Sequence, residues 1–245
     1  EYNGLYYHSS KFIEDSKYHL KKTQKCEKEG YNLIHRFEDE WLYKKEIVKS
    51  RLLNLLGKTP NTIYARNTIV KRVCSKEAMS FLQENHIQGK VGGWLYLGLY
   101  RNENLVSMMT FCNPRVNMGG SKSNKIKVEL QRFCNKINLS VVGGASKLLS
   151  YFEKNYKYDE IFSYADLRWS SGNLYNTLGF KHTHNSPPNY FYIQNSKRLN
   201  RYNYMKGKLM KQGYCKTKTE KEIMEERGIH RIYDCGTMVF KKYPL

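Results

Sequence analysis

A glycine-rich connection between a predicted strand and a predicted helix is the feature that most constrains the fold of this chain. Residues 127–134 have the pattern of a strand, and a helix led by glycines is predicted within residues 141–156. A further strand is predicted over residues 160–165, followed by a short helix over residues 170–178. Strands that alternate with helices in this way indicate a mixed α/β or α+β architecture with helices flanking a mixed sheet.

Apolar periodicity and turn residues predict the remaining elements. Two strands over residues 94–100 and 105–112 flank the polar segment 101–104, which predicts a β-hairpin. The other predicted elements include a helix over 16–29, a strand over 31–37, a helix over 41–56, a β-stretch over 62–73, a helix over 75–85, a loop over 117–125, a strand over 190–194, a basic helix over 197–211, a helix over 219–227 and a hairpin over 229–241.

A turn-rich segment divides the chain into predicted domains. Residues 58–61 read Lys-Thr-Pro-Asn, which is typical of a linker. We therefore predict an N-terminal segment over residues 1–57, a central domain over 62–194 and a basic extension over 195–245. The chain begins with Glu1 rather than methionine, so we expect it to be processed, trimmed or a fragment.

Positive charge is concentrated beyond that linker. Residues 1–57 carry 11 basic and 9 acidic side chains, whereas residues 58–245 carry 31 and 13, a net charge of +18 in that part. Solubility alone needs a net charge of about 2–8 in a small domain. The excess predicts a polyanionic partner, and nucleic acid is the commonest one. A charged face that only keeps the protein soluble is the alternative.

Several classes of protein are excluded or disfavoured by simple patterns. No run approaches 18 apolar residues, so a membrane-spanning helix is excluded, and no secretory signal is visible. The six cysteines include no Cys-x-x-Cys pair and no Cys/His set with zinc-finger spacing. We therefore predict reduced thiols in a cytoplasmic compartment and no structural zinc.

Carboxylates and histidines are concentrated near the N-terminus. Residues 1–8 read Glu-Tyr-Asn-Gly-Leu-Tyr-Tyr-His, and the predicted strand over 31–37 is followed by Glu38-Asp39-Glu40-Trp41. Carboxylate oxygens hold Mg²⁺, the metal activates water, and histidine serves as acid or base near neutral pH. The pattern is compatible with metal-dependent phosphodiester cleavage. The alternative is that Glu38 and Glu40 are surface residues and His8 packs against a helix.

These segments resemble the very-short-patch-repair (Vsr) endonucleases and phage homing-endonuclease-like proteins with a PD-(D/E)XK domain. The resemblance implies a restriction-endonuclease-like segment, incomplete at its N-terminus, in a bacteriophage protein acting in the host cytoplasm. It implies Glu1 and Glu38 as Mg²⁺ ligands and His8 as catalytic acid or base, with Asn3 where lysine is common and His19 as a weaker candidate. The metal-binding aspartate of the family would lie before Glu1.

A second resemblance rests on two segments about 30 residues apart. Val141-Val142-Gly143-Gly144-Ala145 precedes a predicted helix, and glycines there let backbone N–H groups approach a pyrophosphate. Residues 173–180 read Asn-Leu-Tyr-Asn-Thr-Leu-Gly-Phe. The pair resembles the acetyl-CoA motif and the following segment of GNAT N-acetyltransferases.

That resemblance implies a cofactor and its binding residues. Acetyl-CoA would bind at Gly143, Gly144 and Ala145, and Tyr175 would protonate the leaving thiolate. Ser140 departs from the arginine or glutamine of the family pattern. The alternative is a GNAT scaffold retained for its shape, with Tyr175 packed in the core.

A strand end and a basic arm provide candidate nucleic-acid contacts. Arg168 and Trp169 follow the predicted strand over 160–165 and can form a nucleotide pocket, or else Trp169 is core and Asp166 caps a helix. Residues 196–218 hold eight basic and no acidic side chains, with tyrosines between them. The contacts predicted for double-stranded DNA in this arm are Arg198, Arg201, Lys206, Lys208 and Lys211.

Together these patterns predict a phage-type, DNA-directed protein. The main interpretation is a homing-endonuclease-like protein that hydrolyses DNA with Mg²⁺, with a GNAT-like domain and a basic helical extension. The alternatives are an acetyl-CoA-dependent N-acyltransferase acting on nucleic acid or an amine, and a DNA-binding module without catalysis.

Overall fold

The chain forms two compact units whose segments alternate along the sequence. The computed structural model describes residues 1–112 and 125–244, so the loop predicted over 117–125 lies outside the described residues except for Lys125. Unit 1 consists of Glu1–Tyr43, Asp166–Ser171 and Asn185–Thr237. Unit 2 consists of Lys44–Ala165, Gly172–His184 and Met238–Leu245. This division differs from the three consecutive domains that the sequence predicts.

The secondary structure alternates between strands and helices, as predicted. In chain order the first elements are β1 (Tyr2–Asn3), α1 (Tyr18–Lys28), β2 (Arg36–Phe37), α2 (Glu38–Leu55), β3 (Asn61–Tyr64), β4 (Ile69–Arg72), α3 (Ser75–Asn85), β5 (Leu95–Arg101), β6 (Asn104–Phe111) and β7 (Lys127–Asn135). They are followed by β8 (Leu139–Val142), α4 (Gly144–Asn155), β9 (Glu160–Asp166), α5 (Asn173–Thr177), β10 (Lys181–Asn185), β11 (Tyr190–Gln194), β12 (Lys197–Asn200), α6 (Lys206–Lys211), α7 (Glu220–Glu226), β13 (Arg231–Tyr233) and β14 (Thr237–Lys242). Helix α2 is kinked at Lys44, where unit 2 begins.

Unit 2 is built on a seven-stranded mixed sheet. The strand order is β10-β14-β9-β7-β6-β5-β4, and β3 and β8 form a separate parallel pair. Strands β4 to β7 pair antiparallel with their neighbours, whereas β7 and β9 are parallel. The β5–β6 hairpin is confirmed, and its two turn residues, Asn102 and Glu103, have φ values of 47° and 61°. A two-residue hairpin turn requires such positive φ values.

Helices flank both faces of this sheet. Met108 and Met109 are neighbours on β6 and therefore point to opposite faces. Met109 packs in the apolar cluster that contains Leu148 and Phe152 of α4, whereas Met108 packs in the cluster that contains Leu82 of α3. The fold is therefore a mixed α/β fold with a mixed sheet and flanking helices, and that part of the prediction is confirmed.

Unit 1 contains smaller sheets and its own apolar clusters. Strands β12, β11 and β13 form a three-stranded sheet, and β1 pairs in parallel with β2. Tyr192, Leu209 and Met224 are fully buried in one cluster, and Phe37 lies at the centre of another. Among the described residues, no helix has both the length and the apolar character needed to cross a membrane.

Three predicted elements differ in unit 1. The strand predicted over residues 31–37 is reduced to β2. The basic helix predicted over 197–211 is instead strand β12, a 3-10 turn and the short helix α6, because residues 197–200 pair with β11. The hairpin predicted over 229–241 does not form, since β13 pairs with β11 and β14 lies between β9 and β10.

Candidate active site

The candidate active site of unit 2 lies where two parallel strands separate. Strands β7 and β9 pair over 127–129 and 160–162, and no further pairing joins them within the described residues. Ser163 Oγ donates a hydrogen bond of 2.7 Å to Leu130 O and closes the ladder at that point. Beyond it, residues 131–135 of β7 have no strand partner on the β9 side in the described part of the chain. Gln131 O accepts a hydrogen bond from Arg132 Nη1, and Cys134 O accepts one from Ser107 Oγ. The remaining backbone groups that face away from β6 can pair with an extended ligand.

Tyr175 places a phenol at this separation. Its Oη lies 2.8 Å from Ser163 Oγ, and its ring stacks on Phe240 with centroids 4.7 Å apart. Burial raises the pKa of Tyr175, so the phenol holds its proton throughout the neutral range. Helix α5, which carries Tyr175, begins after Gly172 (φ 82°), where a Cβ atom would lie 2.6 Å from Phe240 Cζ. The local fold therefore requires glycine there to position the phenol.

The predicted glycine segment forms the connection between β8 and α4. Gly143 has a φ of 76° and precedes the first residue of the helix. Gly144 is buried, and a Cβ atom on it would lie 3.1 Å from Val141 Cγ1. Lys147 N donates to Gly143 O, and the first N–H groups of a helix have no acceptor within it. The segment therefore presents backbone donors and the positive end of the helix dipole, which suit a phosphate group.

A buried apolar stripe fixes the direction of α4. Ala145, Leu148, Leu149 and Phe152 follow helical spacing and are buried. Lys147 Nζ donates to the carbonyl oxygens of Ala65 and Thr68, so its ammonium group does not project over the helix N-terminus. The site therefore combines an anion-binding helix start, an open strand edge and a half-buried phenol within one unit.

Sequence reasoning missed Ser163 and Arg132 at this site. Ser163 is a buried residue of the apolar strand β9. A small polar residue inside an apolar strand is the sequence signal that could have identified it. Arg132 follows a register shift in the pairing of β6 with β7, which the sequence does not reveal. Bulges of this kind are common next to active sites.

The carboxylates predicted to hold Mg²⁺ have other partners in unit 1. Glu1 forms an ion pair of 2.8 Å with Lys22, and Glu38 Oε2 accepts a hydrogen bond of 2.9 Å from Leu5 N. Asn3, the other predicted residue of β1, is completely buried beside His35. Within the described residues, no group of three or more His, Cys, Asp or Glu side chains is arranged to hold a metal ion.

Three histidines lie together in unit 1. His8 Nδ1 is 3.0 Å from His19 Nε2, and His19 Nδ1 lies 2.8 Å from the carbonyl oxygen of Tyr233. His35 Nε2 lies 2.8 Å from Thr23 Oγ1. Burial lowers the pKa of His19, and a charge on His8 lowers it further, to about 4. Burial also lowers the pKa of His35 to about 4, although Glu1 opposes the shift. Both are therefore neutral in the folded unit at pH 7.

These shifts predict that unit 1 is destabilised by mild acid. Between the ordinary histidine pKa of 6.5 and the folded value of about 4, the unfolded chain binds more protons than the folded one. The contribution of these histidines to the free energy of unfolding is therefore fully present above about pH 6.5. It is lost as the pH is lowered towards 4. Urea unfolding at pH 7 and pH 5 measures this loss. His19→Gln should flatten the pH dependence, and an equal dependence in that variant would contradict the assignment.

The predicted nucleic-acid residues have different environments in unit 1. Arg168 and Trp169 are buried, and Arg168 pairs with Glu40 at 2.9 Å and with Asp166 at 2.7 Å. The nucleotide pocket predicted at these two side chains is therefore not presented at the surface. Arg198 is also engaged, by Asp39 and Glu40. Of the other predicted contacts, Arg201, Lys206 and Lys211 are exposed and Lys208 is half-exposed. Binding of double-stranded DNA by this arm stays a prediction.

Comparison with known proteins gives matches to solved structures. No protein-family model and no curated protein matches the chain. The solved structures that it resembles include a GNAT-family acetyltransferase from Bacillus cereus, with 14% identity, a TM-score of 0.37 and coverage of 73% of this chain and 98% of that one. A Bacillus subtilis acetyltransferase in complex with CoA has 11% identity, a TM-score of 0.41 and coverage of 73% and 99%. A histone acetyltransferase HPA2 and related acetyltransferase from Corynebacterium glutamicum has 13% identity, a TM-score of 0.31 and coverage of 62% and 65%.

The predicted nuclease is wrong. The three solved structures reported above are acetyltransferases, and none of them is a homing endonuclease or a PD-(D/E)XK nuclease. The roles assigned to Glu1, His8 and Glu38 in Mg²⁺-dependent DNA hydrolysis also have no support in the contacts of these residues. The acidic run that suggested a metal site is the first turn of α2, where carboxylates interact favourably with the helix dipole.

Proposed function

We propose that unit 2 is an acyl-CoA-dependent N-acyltransferase. The observation that carries the proposal is the position of the Tyr175 phenol, hydrogen-bonded through Ser163 to the point where β7 and β9 separate. The glycine segment at the start of α4 belongs to the same unit. A thioester ligand needs a binding site for its pyrophosphate, a groove for its extended arm and a proton donor for its sulfur.

The residues present fit such a ligand. The N–H groups at Gly144 and Ala145 and the dipole of α4 would bind the pyrophosphate. The unpaired edge of β7 over residues 131–135 offers hydrogen bonds to an amide-containing arm. Ser140, which departs from the family pattern, lies on β8 opposite Thr62. The start of the helix itself is still formed by glycine and alanine.

The chemistry requires a proton at the leaving sulfur. Acyl-CoA supplies an acyl group activated as a thioester. The amine nitrogen forms a bond to the acyl carbon as the C–S bond breaks, the sulfur takes one proton and the nitrogen releases one, so that no net proton is consumed. Tyr175 Oη holds a proton at the strand separation. Rotation of its hydroxyl away from Ser163 Oγ directs that proton into the space between β7 and β9. Because Ser163 Oγ donates to Leu130 O, the serine fixes the position of the phenol without taking part in the transfer.

Binding of CoA tests the proposal directly. A ligand present at 100 times its Kd stabilises the folded protein by about 2.7 kcal/mol, which a thermal-shift titration detects. We expect this shift with CoA for the wild-type protein and its loss in Gly143→Val, because a β-branched residue at positive φ distorts the helix start.

Gly57→Val is the matched control. Gly57 also has a positive φ of 68° and belongs to unit 2, but no atom lies within 4 Å of a Cβ placed there. We expect this variant to bind CoA with wild-type affinity once its lower stability is taken into account. A wild-type protein that shows no shift with CoA would remove the acyltransferase proposal.

A further inference from the structure

Three cations of unit 2 act electrostatically on one buried histidine. Arg132 is on β7, Lys44 and Arg51 are on α2, and His86 follows α3. We call these four residues the cationic cluster. The charges of Arg132, Arg51 and Lys44 all lower the pKa of His86, after its burial as the main cause. The side chains are therefore close enough to act on one imidazole.

Arg132 lies in an unusual environment for a guanidinium group. It follows the register shift between β6 and β7, and its Nη1 donates 2.8 Å to the carbonyl oxygen of Gln131. Its Nε is buried and has no hydrogen-bond partner among the residues that the structure describes. Burial lowers the pKa of Arg132, and the carboxylate of Glu129 only partly offsets this. A buried donor without an acceptor is costly, so a bound acceptor would stabilise this group.

Helix α2 directs its two cations towards the same region. Arg51 follows the buried residues Ile47 and Val48 at helical spacing, and Lys44 lies at the kink of the helix. Lys44 Nζ donates 2.5 Å to the carbonyl oxygen of Ile87, next to His86. The charge of Arg51 also acts on Cys134, which is two residues from Arg132 on β7.

His86 contributes a donor rather than a charge. Its Nδ1 accepts a hydrogen bond of 3.1 Å from Gln88 N, which places the imidazole proton on Nε2. Its pKa lies well below the ordinary value, so the ring is neutral at pH 7. Two hydrogen bonds hold the surrounding segments together: Ile137 N donates to Asn85 Oδ1 at 2.8 Å, and Asn138 N donates to Ser50 Oγ at 2.7 Å.

The cationic cluster adjoins the proposed acyl-transfer site. Arg132 lies on the stretch of β7 that is unpaired on the β9 side, two residues beyond Leu130. Its charge also acts on the Tyr175 phenol. An acceptor bound at the cluster would therefore lie near the proton donor, while the glycine segment at the start of α4 remains available to the acyl donor.

We propose that the acyl acceptor is an amine that carries an oxyanion, a phosphate or a carboxylate, and that the cationic cluster binds this group. This inference rests on the proposed function. Arginine matches both oxyanions through paired N–H donors, and a doubly charged phosphate gains more from the three cations than a carboxylate does. The amine of such an acceptor is then held near the strand separation.

Three short primary amines test the proposal. O-Phosphoethanolamine, β-alanine and ethanolamine carry a phosphate, a carboxylate and no anion. We expect calorimetric titration without CoA to give the tightest binding for phosphoethanolamine, weaker binding for β-alanine and none for ethanolamine. Arg132→Gln should weaken phosphoethanolamine binding at least tenfold. Arg101→Gln, an exposed arginine at the end of β5, is the matched control and should leave the affinity unchanged.

The outcomes separate this inference from the proposed function. Phosphoethanolamine binding that survives in Gly143→Val supports the cluster, and it does so even if CoA does not bind. Equal affinity for all three amines overturns the inference, as does wild-type affinity in Arg132→Gln. A loss of CoA affinity in Arg132→Gln would overturn it as well, because the cluster would then belong to the acyl donor. Urea unfolding of Arg132→Gln shows whether the variant is folded, and Arg51→Gln provides a second test if it is not.

Discussion

Replacing Tyr175 with phenylalanine lowers the kcat of acyl transfer by about 100-fold or more, because a positioned general acid contributes roughly 10²–10⁴-fold. The substitution removes Oη and keeps the ring, which stacks on Phe240 at 4.7 Å. The affinity for CoA should therefore remain that of the wild type. Release of free thiol from acetyl-CoA in the presence of the three amines measures the rate.

The pH dependence identifies the role of the Tyr175 phenol. Burial raises the pKa of Tyr175, so its proton is present at every pH between 6 and about 9, and the rate loss in Tyr175→Phe should be constant over that range. Tyr151→Phe is the control, since Tyr151 is an exposed tyrosine of α4. A kcat within threefold of wild type in Tyr175→Phe would show that the phenol packs the core and donates no proton.

Replacing Glu40 with alanine destabilises unit 1 by about 3–5 kcal/mol, because it leaves buried arginines without their shared carboxylate. Glu40 Oε1 accepts from Arg168 at 2.9 Å and from Arg198 at 2.8 Å, and Oε2 accepts from Phe37 N at 3.1 Å. The Glu40 side chain is 4% exposed. Asp166 and Asp39 still pair with the two arginines, so the lower end of that range is expected.

Urea unfolding measures this loss of stability, and two further variants serve as comparisons. Glu40→Gln keeps the shape and loses the charge, so we expect an intermediate effect. Glu226→Ala removes an exposed partner of Lys218, and exposed ion pairs contribute little to stability. Burial raises the pKa of Glu40, but Arg168 and Arg198 outweigh it and hold the pKa below the ordinary value of 4.5. This contribution is therefore present above about pH 4.5 and is lost as the pH falls further. Equal stability of Glu40→Ala and Glu226→Ala would contradict the role of the network.

The sequence predicts the parts of the fold that depend on local rules. The turn at Asn102 and Glu103 joins two apolar strands, and Gly143 precedes a helix with a clear apolar stripe. The short helix that carries Tyr175 is also predicted, over residues 170–178. Such features are predictable because neighbouring residues along the chain determine them.

Long-range contacts account for most of what the sequence does not predict. Arg198 belongs to a basic run that favours a helix, yet it lies in β12 and pairs with Asp39, 159 residues earlier. No local pattern reveals that pairing, and it changes both the secondary structure and the exposure of the arginine. The same holds for Arg168, which pairs with Glu40, 128 residues away.

The position of β14 has a consequence for how the protein is made. This strand is the last element in the sequence, yet it lies between β9 and β10 inside the seven-stranded sheet. During synthesis on the ribosome, the sheet cannot close until Thr237–Lys242 has left the exit tunnel. A stop codon before Thr237 would therefore remove an interior strand of the sheet.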